Sequence, residues 1–319
     1  MLNRYLIIMA IALGVAAATG PMLIPLLHRL KFGQSIRQEG LKSHYKKTGT
    51  PTMGGLIIYA GLIAGLLFAG QWTRAVSVLL LLVFGHGILG FADDYIKSAL
   101  KNPEGLSARA KLIGQFSLAA LFCWLLSGKG LTTAVIIPIL HWQLPLGFFY
   151  WVLALLYLVF FSNAVNIIDG VDGLCSGQTM IATLFCFFVA LLQKQTDLAA
   201  FCAALVGAVA GFLLFNVHPA RIFMGDTGTL GLGAALAAMA LLLKIETLML
   251  WVGMVFIVDI FSTIIQVLYF KATKGKRLFK MSPIHHHFEL CGWSEWKIVF
   301  VFWTWGLFFA LTGAWIFLA

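Results

Sequence analysis

The chain has 319 residues, 61% of them hydrophobic and only 11% charged, with a mean hydropathy of +0.95. A soluble domain carries about 25% charged residues, so this composition excludes an ordinary soluble protein and predicts an integral membrane protein. The net charge of +10 does not point to nucleic acid, because the cations are confined to a few loops between apolar runs.

Those runs are 5–26, 54–70, 75–92, 112–127, 149–165, 174–192, 198–216, 228–243, 247–270 and 298–318. A helix crossing the hydrocarbon core needs roughly 20 apolar residues. The runs are continuous rather than alternating, so helices and not a barrel satisfy the backbone. The expected fold is all-α and polytopic, with about ten transmembrane helices in a single integral membrane domain, 1–319. Seventeen of the 22 lysines and arginines fall in one set of loops. The positive-inside rule puts that set in the cytoplasm and both termini on the periplasmic side. Residues 1–19 continue into a longer apolar run and read as a first membrane helix rather than a cleaved signal. The five cysteines are scattered and show neither zinc spacing nor a disulfide framework.

In chain order, the first cytoplasmic loop ends in Lys46-Lys-Thr-Gly-Thr-Pro-Thr-Met-Gly-Gly55. Two readings stand: Thr50 or Thr52 caps the second helix, or the lysines and a helix start hold an anion. The third span ends in Gly90-Phe-Ala-Asp93-Asp94-Tyr-Ile-Lys97. A helix C-terminus disfavours negative charge, and adjacent acids repel unless a cation or proton intervenes. A salt bridge to Lys97 is the structural reading; a metal, base or nucleophile is the functional one, and the functional one is favoured. Arg109 and Lys111 follow at the start of the fourth span. The outer loop 128–148, with Pro138 and Pro145, suits a short hairpin or an amphipathic segment.

Next comes Asn163-Ala-Val-Asn-Ile-Ile-Asp-Gly-Val-Asp-Gly-Leu174, wedged between two almost wholly apolar runs. Asn163, Asn166 and Asp169 are spaced by three along one helical face. Gly170 and Gly173 then allow a turn or a close approach. The segment 215–233 contains Asn216, His218, Phe223 and Asp226. Asp226 is either the N-cap of the eighth helix, with Thr227 or Thr229 competing, or a hard oxygen ligand suited to magnesium. The last cytoplasmic loop, 271–297, carries Pro283-Ile-His285-His286-His287-Phe-Glu289. Consecutive histidines point in different directions on a helix, so they are not a helical metal triad. They remain candidates for phosphate binding or acid–base work. Asp259, inside the ninth span, reads as a structural residue hydrogen-bonded to Ser, Thr or backbone.

Apart from Asp259, every ionisable residue singled out falls on one membrane face. A transporter places polar groups near the midplane in two related halves, and no convincing repeat is present. Carboxylates with lysines and histidines at the surface suit phosphoryl transfer from a magnesium-bound diphosphate.

Four motifs, Phe91-Ala-Asp-Asp-Tyr, Asn163 to Leu174, Phe223-Met-Gly-Asp-Thr-Gly and Pro283-Ile-His-His-His-Phe-Glu, together closely resemble the polyprenyl-phosphate N-acetylhexosamine-1-phosphate transferases. The resemblance runs from about residue 45 to 290. The 49–55 and 283–289 runs look like the bacterial branch that handles a muramoyl-pentapeptide. The resemblance implies a multi-pass enzyme of the bacterial inner membrane that uses magnesium. It would take UDP-N-acetylmuramoyl-pentapeptide and undecaprenyl phosphate to lipid I and UMP, in contact with membrane lipids and no nucleic acid. The oligomeric state stays open, a homodimer included. By motif, Asp93, Asp94, Asp226 and His285 would be catalytic. Asp226 would ligate the metal with Asp93 and Asp94, and Asp93 would be the base that deprotonates the lipid phosphate or, as the less favoured alternative, a nucleophile. Asn163, Asn166, Asp169, Gly170, Asp172, Asn216 and Phe223 would line the nucleotide-sugar pocket, with Asp172 and Phe223 on uracil. Lys47, Thr52, Lys97 and Lys111 would meet phosphates or nucleotide, and His285, His286 and His287 the sugar-phosphate. The alternatives are a sister enzyme moving N-acetylglucosamine-1-phosphate, against which the 283–289 run argues, and a lipid-linked sugar flippase.

Overall fold

The computed structural model describes residues 2–30, 32–33, 49–127, 132–140 and 142–319. Each of the ten apolar runs forms helix: α1 (Leu2–Arg29), α2 (Gly55–Ala69), α3 (Arg74–Ser98), α4 (Ala108–Leu126), α5 (Phe148–Ile167), α6 (Leu174–Leu192), α7 (Thr196–Asn216), α8 (Gly225–Leu242), α9 (Glu246–Val252) with α10 (Met254–Ala272), and, after the short α11 (Ile284–Leu290), α12 (Glu295–Leu318). Among the described residues nine helices are long and apolar enough to cross a membrane, and α2 is a shorter apolar helix of 15 residues. The chain is therefore a multi-pass, all-α membrane protein. The segment after α4 forms an antiparallel hairpin of β1 (Ala134–Ile137) and β2 (Trp142–Pro145).

One span departs from expectation. The run 247–270 is broken at Gly253 into α9 and α10. Gly253 packs on the ring of Phe161, and a Cβ there would approach both that ring and the Met249 carbonyl at 2.9 Å. The glycine admits the close approach and lets the helix axis break.

Helices α7 and α8 form the centre. Almost every residue of each is buried, whereas α1, α4, α10 and α12 turn large apolar side chains outward, as at Met22, Trp124, Leu268 and Phe300. In a bilayer apolar side chains gain little by leaving lipid, so close backbone packing must hold the bundle. The sequence of α8, GDTGTLGLGAALAAMALL, supplies small residues for this. A Cβ on Gly55 of α2 would strike Gly228 of α8, and one on Gly90 of α3 would strike the Asp226 carbonyl. Tyr59 of α2 donates from its hydroxyl to the Thr227 carbonyl at 2.6 Å. The start of α8 is thus clamped by α2 and α3.

Candidate functional site

Three helix ends meet around the start of α8. The C-terminal turns of α3 bring Asp93, Asp94 and Lys97, the first turn of α4 brings Lys111, the last turn of α5 brings Asn166, and α8 opens with Asp226. Oxygens of Asp93, Asp94 and Asp226 lie within 4.8 Å of one another.

The three acids are held differently. Asp94 accepts from the backbone N–H of Asp226 (3.2 Å) and of Thr227 (2.9 Å), and from the Thr227 hydroxyl (2.7 Å). It caps a helix other than its own. This corrects the local reading of the sequence: Asp226 is not the N-cap of α8, whose capping position is Met224 without a side-chain cap bond. It also explains why an acid tolerates the unfavourable end of α3, since the N-terminal dipole of α8 faces it. Gly225, at φ +71°, makes the turn, and a Cβ there would collide with Asp94 and sit 2.6 Å from Thr52 Oγ1.

Asp93 is fully buried. Its Oδ1 accepts from Leu106 N–H at 2.7 Å, and its Oδ2 faces Lys97 Nζ at 2.5 Å and Lys111 Nζ at 3.0 Å. Asp226 Oδ2 meets the same two ammonium groups, Lys111 at 2.6 Å and Lys97 at 3.4 Å. Its Oδ1 accepts from Asn166 Nδ2 at 2.9 Å, and the Asn166 amide also reaches Thr229 Oγ1 at 2.7 Å. Two lysines therefore lie between two carboxylates, and the repulsion of a bare acid cluster is relieved.

The remaining candidates fall into further groups. Thr52 is buried beside Gly225. It does not cap α2, whose N-cap is Gly54. Its backbone N–H bonds to the Phe32 carbonyl at 3.0 Å, and neighbouring Pro51 and Gly54 pair with Phe223 through backbone bonds of 2.9 Å each. These bonds fix half-buried Phe223 next to the start of α2. Asn163 donates to Gln115 Oε1 at 2.8 Å and to its own helix. Asp169 and Gly170 form the turn after α5. Asn216 is buried, accepting from Gly173 N–H and Ser176 and donating to the Ile222 carbonyl, so its amide braces the loops around the site. Lys47 lies outside the described residues.

Asp172 lies in a second cluster. Its Oδ2 meets His218 Nδ1 at 2.9 Å and Ala220 N–H at 3.0 Å, and Glu295 Oε2 lies 3.4 Å from the same His218 nitrogen. The three histidines take three directions, as helical geometry requires. His285 pairs with Asp259, His286 with Glu289 at 2.5 Å, and His287 Nδ1 accepts from Lys280 N–H at 3.1 Å. His285 and His286 abut Gly170, which ties the histidine loop to the 163–174 turn.

Sequence reasoning missed several members of this assembly. Asp259 does meet a serine and a backbone amide, its carbonyl accepting from the Ser262 hydroxyl at 2.6 Å and its Oδ1 from the His285 N–H at 3.4 Å, but the main partner of its carboxylate, the His285 ring, was not foreseen. The signal was its presence as a charge inside a span. Thr229 sits at i+3 from Asp226, which puts both on one helical face. His218 and Glu295 gave no signal, because their partners are remote in sequence.

The fold and site define a multi-pass helical membrane protein with acids, lysines and amides gathered at one end of its bundle. The glycosyl transferase family 4 profile matches residues 76–244. Proteins named phospho-N-acetylmuramoyl-pentapeptide-transferase from Bacillus anthracis, Bacillus thuringiensis (strain Al Hakam) and Bacillus cereus (strain AH187) are each 49% identical over 321 residues, 99% of this chain and 99% of each relative. The chain belongs to the phospho-N-acetylmuramoyl-pentapeptide-transferase family, within glycosyl transferase family 4.

Proposed function

We propose that this protein transfers phospho-N-acetylmuramoyl-pentapeptide from its UDP carrier to undecaprenyl phosphate, releasing UMP and forming lipid I. The site opens on the cytoplasmic side of the bacterial inner membrane, with both termini periplasmic. Full-length likeness to transferases of that name carries the reading. The acid–lysine cluster at one end of the bundle supports it.

A metal is part of the proposal. The donor set fits a hard divalent cation, being carboxylate only and within 4.8 Å. Asp226, Asp93 and Asp94 would hold magnesium, which when bound would neutralise diphosphate charge. The chain's own groups supply the rest. A lipid phosphate oxygen attacks the sugar-linked phosphorus, the bond to UMP breaks, and UMP leaves with the electron pair. Asp93 Oδ2 takes the proton when the lipid phosphate arrives protonated. Its other oxygen is held by Leu106 N–H, which fixes the carboxylate for that transfer. Lys97 and Lys111 balance the phosphate charge. Asp94 organises rather than attacks, since three donors hold it against the start of α8 and leave about one lone pair, which would face the metal. Those same bonds take two of the first amides of α8, so diphosphate recognition falls to lysines and metal rather than to this helix end.

The test is purified protein with UDP-N-acetylmuramoyl-pentapeptide, undecaprenyl phosphate and magnesium, read as UMP release. No release, or equal release from UDP-N-acetylglucosamine, overturns the assignment.

A further inference from the structure

Asp259 and His285 are both completely buried. The Asp259 carboxylate approaches His285 Nδ1 with both oxygens, at 3.0 and 2.9 Å, and its Oδ1 also lies 3.4 Å from the His285 backbone N–H. Two N–H groups of one residue thus converge on one acid. The opposite ring nitrogen, Nε2, is buried and meets no hydrogen-bond partner among the described residues. It points at Gly170, where a Cβ would collide with it. A buried polar atom without a partner is costly, and so is an acid inside a span. Asp259 belongs to α10 and His285 to α11, so the pair also fixes where the histidine loop sits. Ser262 adds a second tie, its hydroxyl accepting from Ile284 N–H at 2.9 Å.

From this geometry we infer that Asp259 is a positioning residue: it keeps the proton on His285 Nδ1 and holds Nε2 toward the Gly170 turn for a polar group of the bound nucleotide sugar. The inference deepens the proposed transferase function and rests on it for the identity of that group. An acid that accepts from Nδ1–H fixes both ring orientation and tautomer. Asparagine replaces it poorly: it removes the charge and puts an NH₂ donor where Oδ2 now accepts from the ring N–H. Glutamate keeps two acceptor oxygens on a longer stem.

Two measurements on the full-length protein test this. The first is ¹⁵N NMR of histidine-labelled protein, with His285→Gln identifying the signal. It does not depend on turnover, so it fails separately from the transferase reading. A protonated Nδ1 on His285 supports the inference; a bare Nδ1 with the proton on Nε2 overturns it. The second is steady-state kinetics with both substrates. Asp259→Asn lowers kcat on the order of 10²-fold, with KM nearly unchanged, and Asp259→Glu recovers part of the loss. In a His285→Ala background, Asp259→Asn costs little more, because the two act as a unit. A kcat within twofold of the parent, or losses that multiply in the double variant, overturns the inference. If Asp259→Asn does not fold, the parent protein's Nδ1 signal alone decides.

Discussion

Asp94 reaches from the end of α3 to the start of α8 and binds Thr227 twice, through its backbone N–H at 2.9 Å and its hydroxyl at 2.7 Å. One carboxylate therefore caps a helix more than 130 residues away in the chain and sets the spacing of the three acids. Asp226, the next residue back along the chain, carries the carboxylate that faces the lysines.

Removing that cap should cost stability as well as activity. Asp94→Ala leaves the amides of Asp226 and Thr227 without their acceptor, and loss of a helix cap typically costs about 1–2 kcal/mol. Thermal unfolding in detergent should show a lower midpoint, with transfer activity reduced on the order of 10²-fold because the acids lose register. Asp93→Ala should abolish transfer with a smaller effect on unfolding. If Asp94→Ala unfolds like the parent, the cap is not what fixes α8.

Gly90 tests the spacing by steric means. Any Cβ there collides with the Asp226 carbonyl, a backbone atom that cannot rotate away. Gly90→Ala should destabilise by about 1–3 kcal/mol, as overpacking does, and reduce transfer more than tenfold by shifting Asp226 from Asp93. Gly14→Ala, with open space around its Cβ, is the control, and should be neutral or slightly stabilising. Equal effects of the two substitutions on activity would remove the steric argument.

The metal assignment predicts a displaced magnesium response. Asp226→Asn keeps the shape of the side chain and the bond from Asn166 but removes the charge. The magnesium concentration for half-maximal UMP release should rise about tenfold or more, the effect of roughly 1.4 kcal/mol on binding. Chelation of divalent metal should stop the parent reaction. An unchanged magnesium titration takes Asp226 out of the metal site.

Direct attack by the lipid phosphate predicts that no covalent intermediate forms. Incubated with nucleotide sugar and magnesium but no lipid, the protein should keep its intact mass, and labelled UMP should not exchange into the nucleotide sugar. A sugar-phosphate adduct on Asp93 or Asp94 would establish a double displacement.

Much of this was legible from local pattern. All ten apolar runs form helix, and the outer loop pairs as a hairpin. The acids of α3, the 163–174 turn and Asp226 stood out because polar groups between long apolar runs are costly without a role. Reasoning failed where a group's partner is remote in sequence. Thr52 and Asp226 look like caps because they precede helices, yet the first two amides after Gly225 are taken by Asp94. Asp259 looks like a solitary buried acid until the chain returns 26 residues later with His285. The close approach of Gly253 to Phe161 joins residues that the sequence places far apart.

Composition and period, then, determined on their own that this chain lives in a bilayer as a bundle of helices, because burying apolar length is a property of each segment. They also determined which polar residues interrupt that pattern. Only the tertiary structure decided which acid faces lysine, which caps a helix and which holds a histidine. Those roles depend on distances of about 3 Å between helix ends brought together by glycine-mediated packing, a fact that no single segment contains.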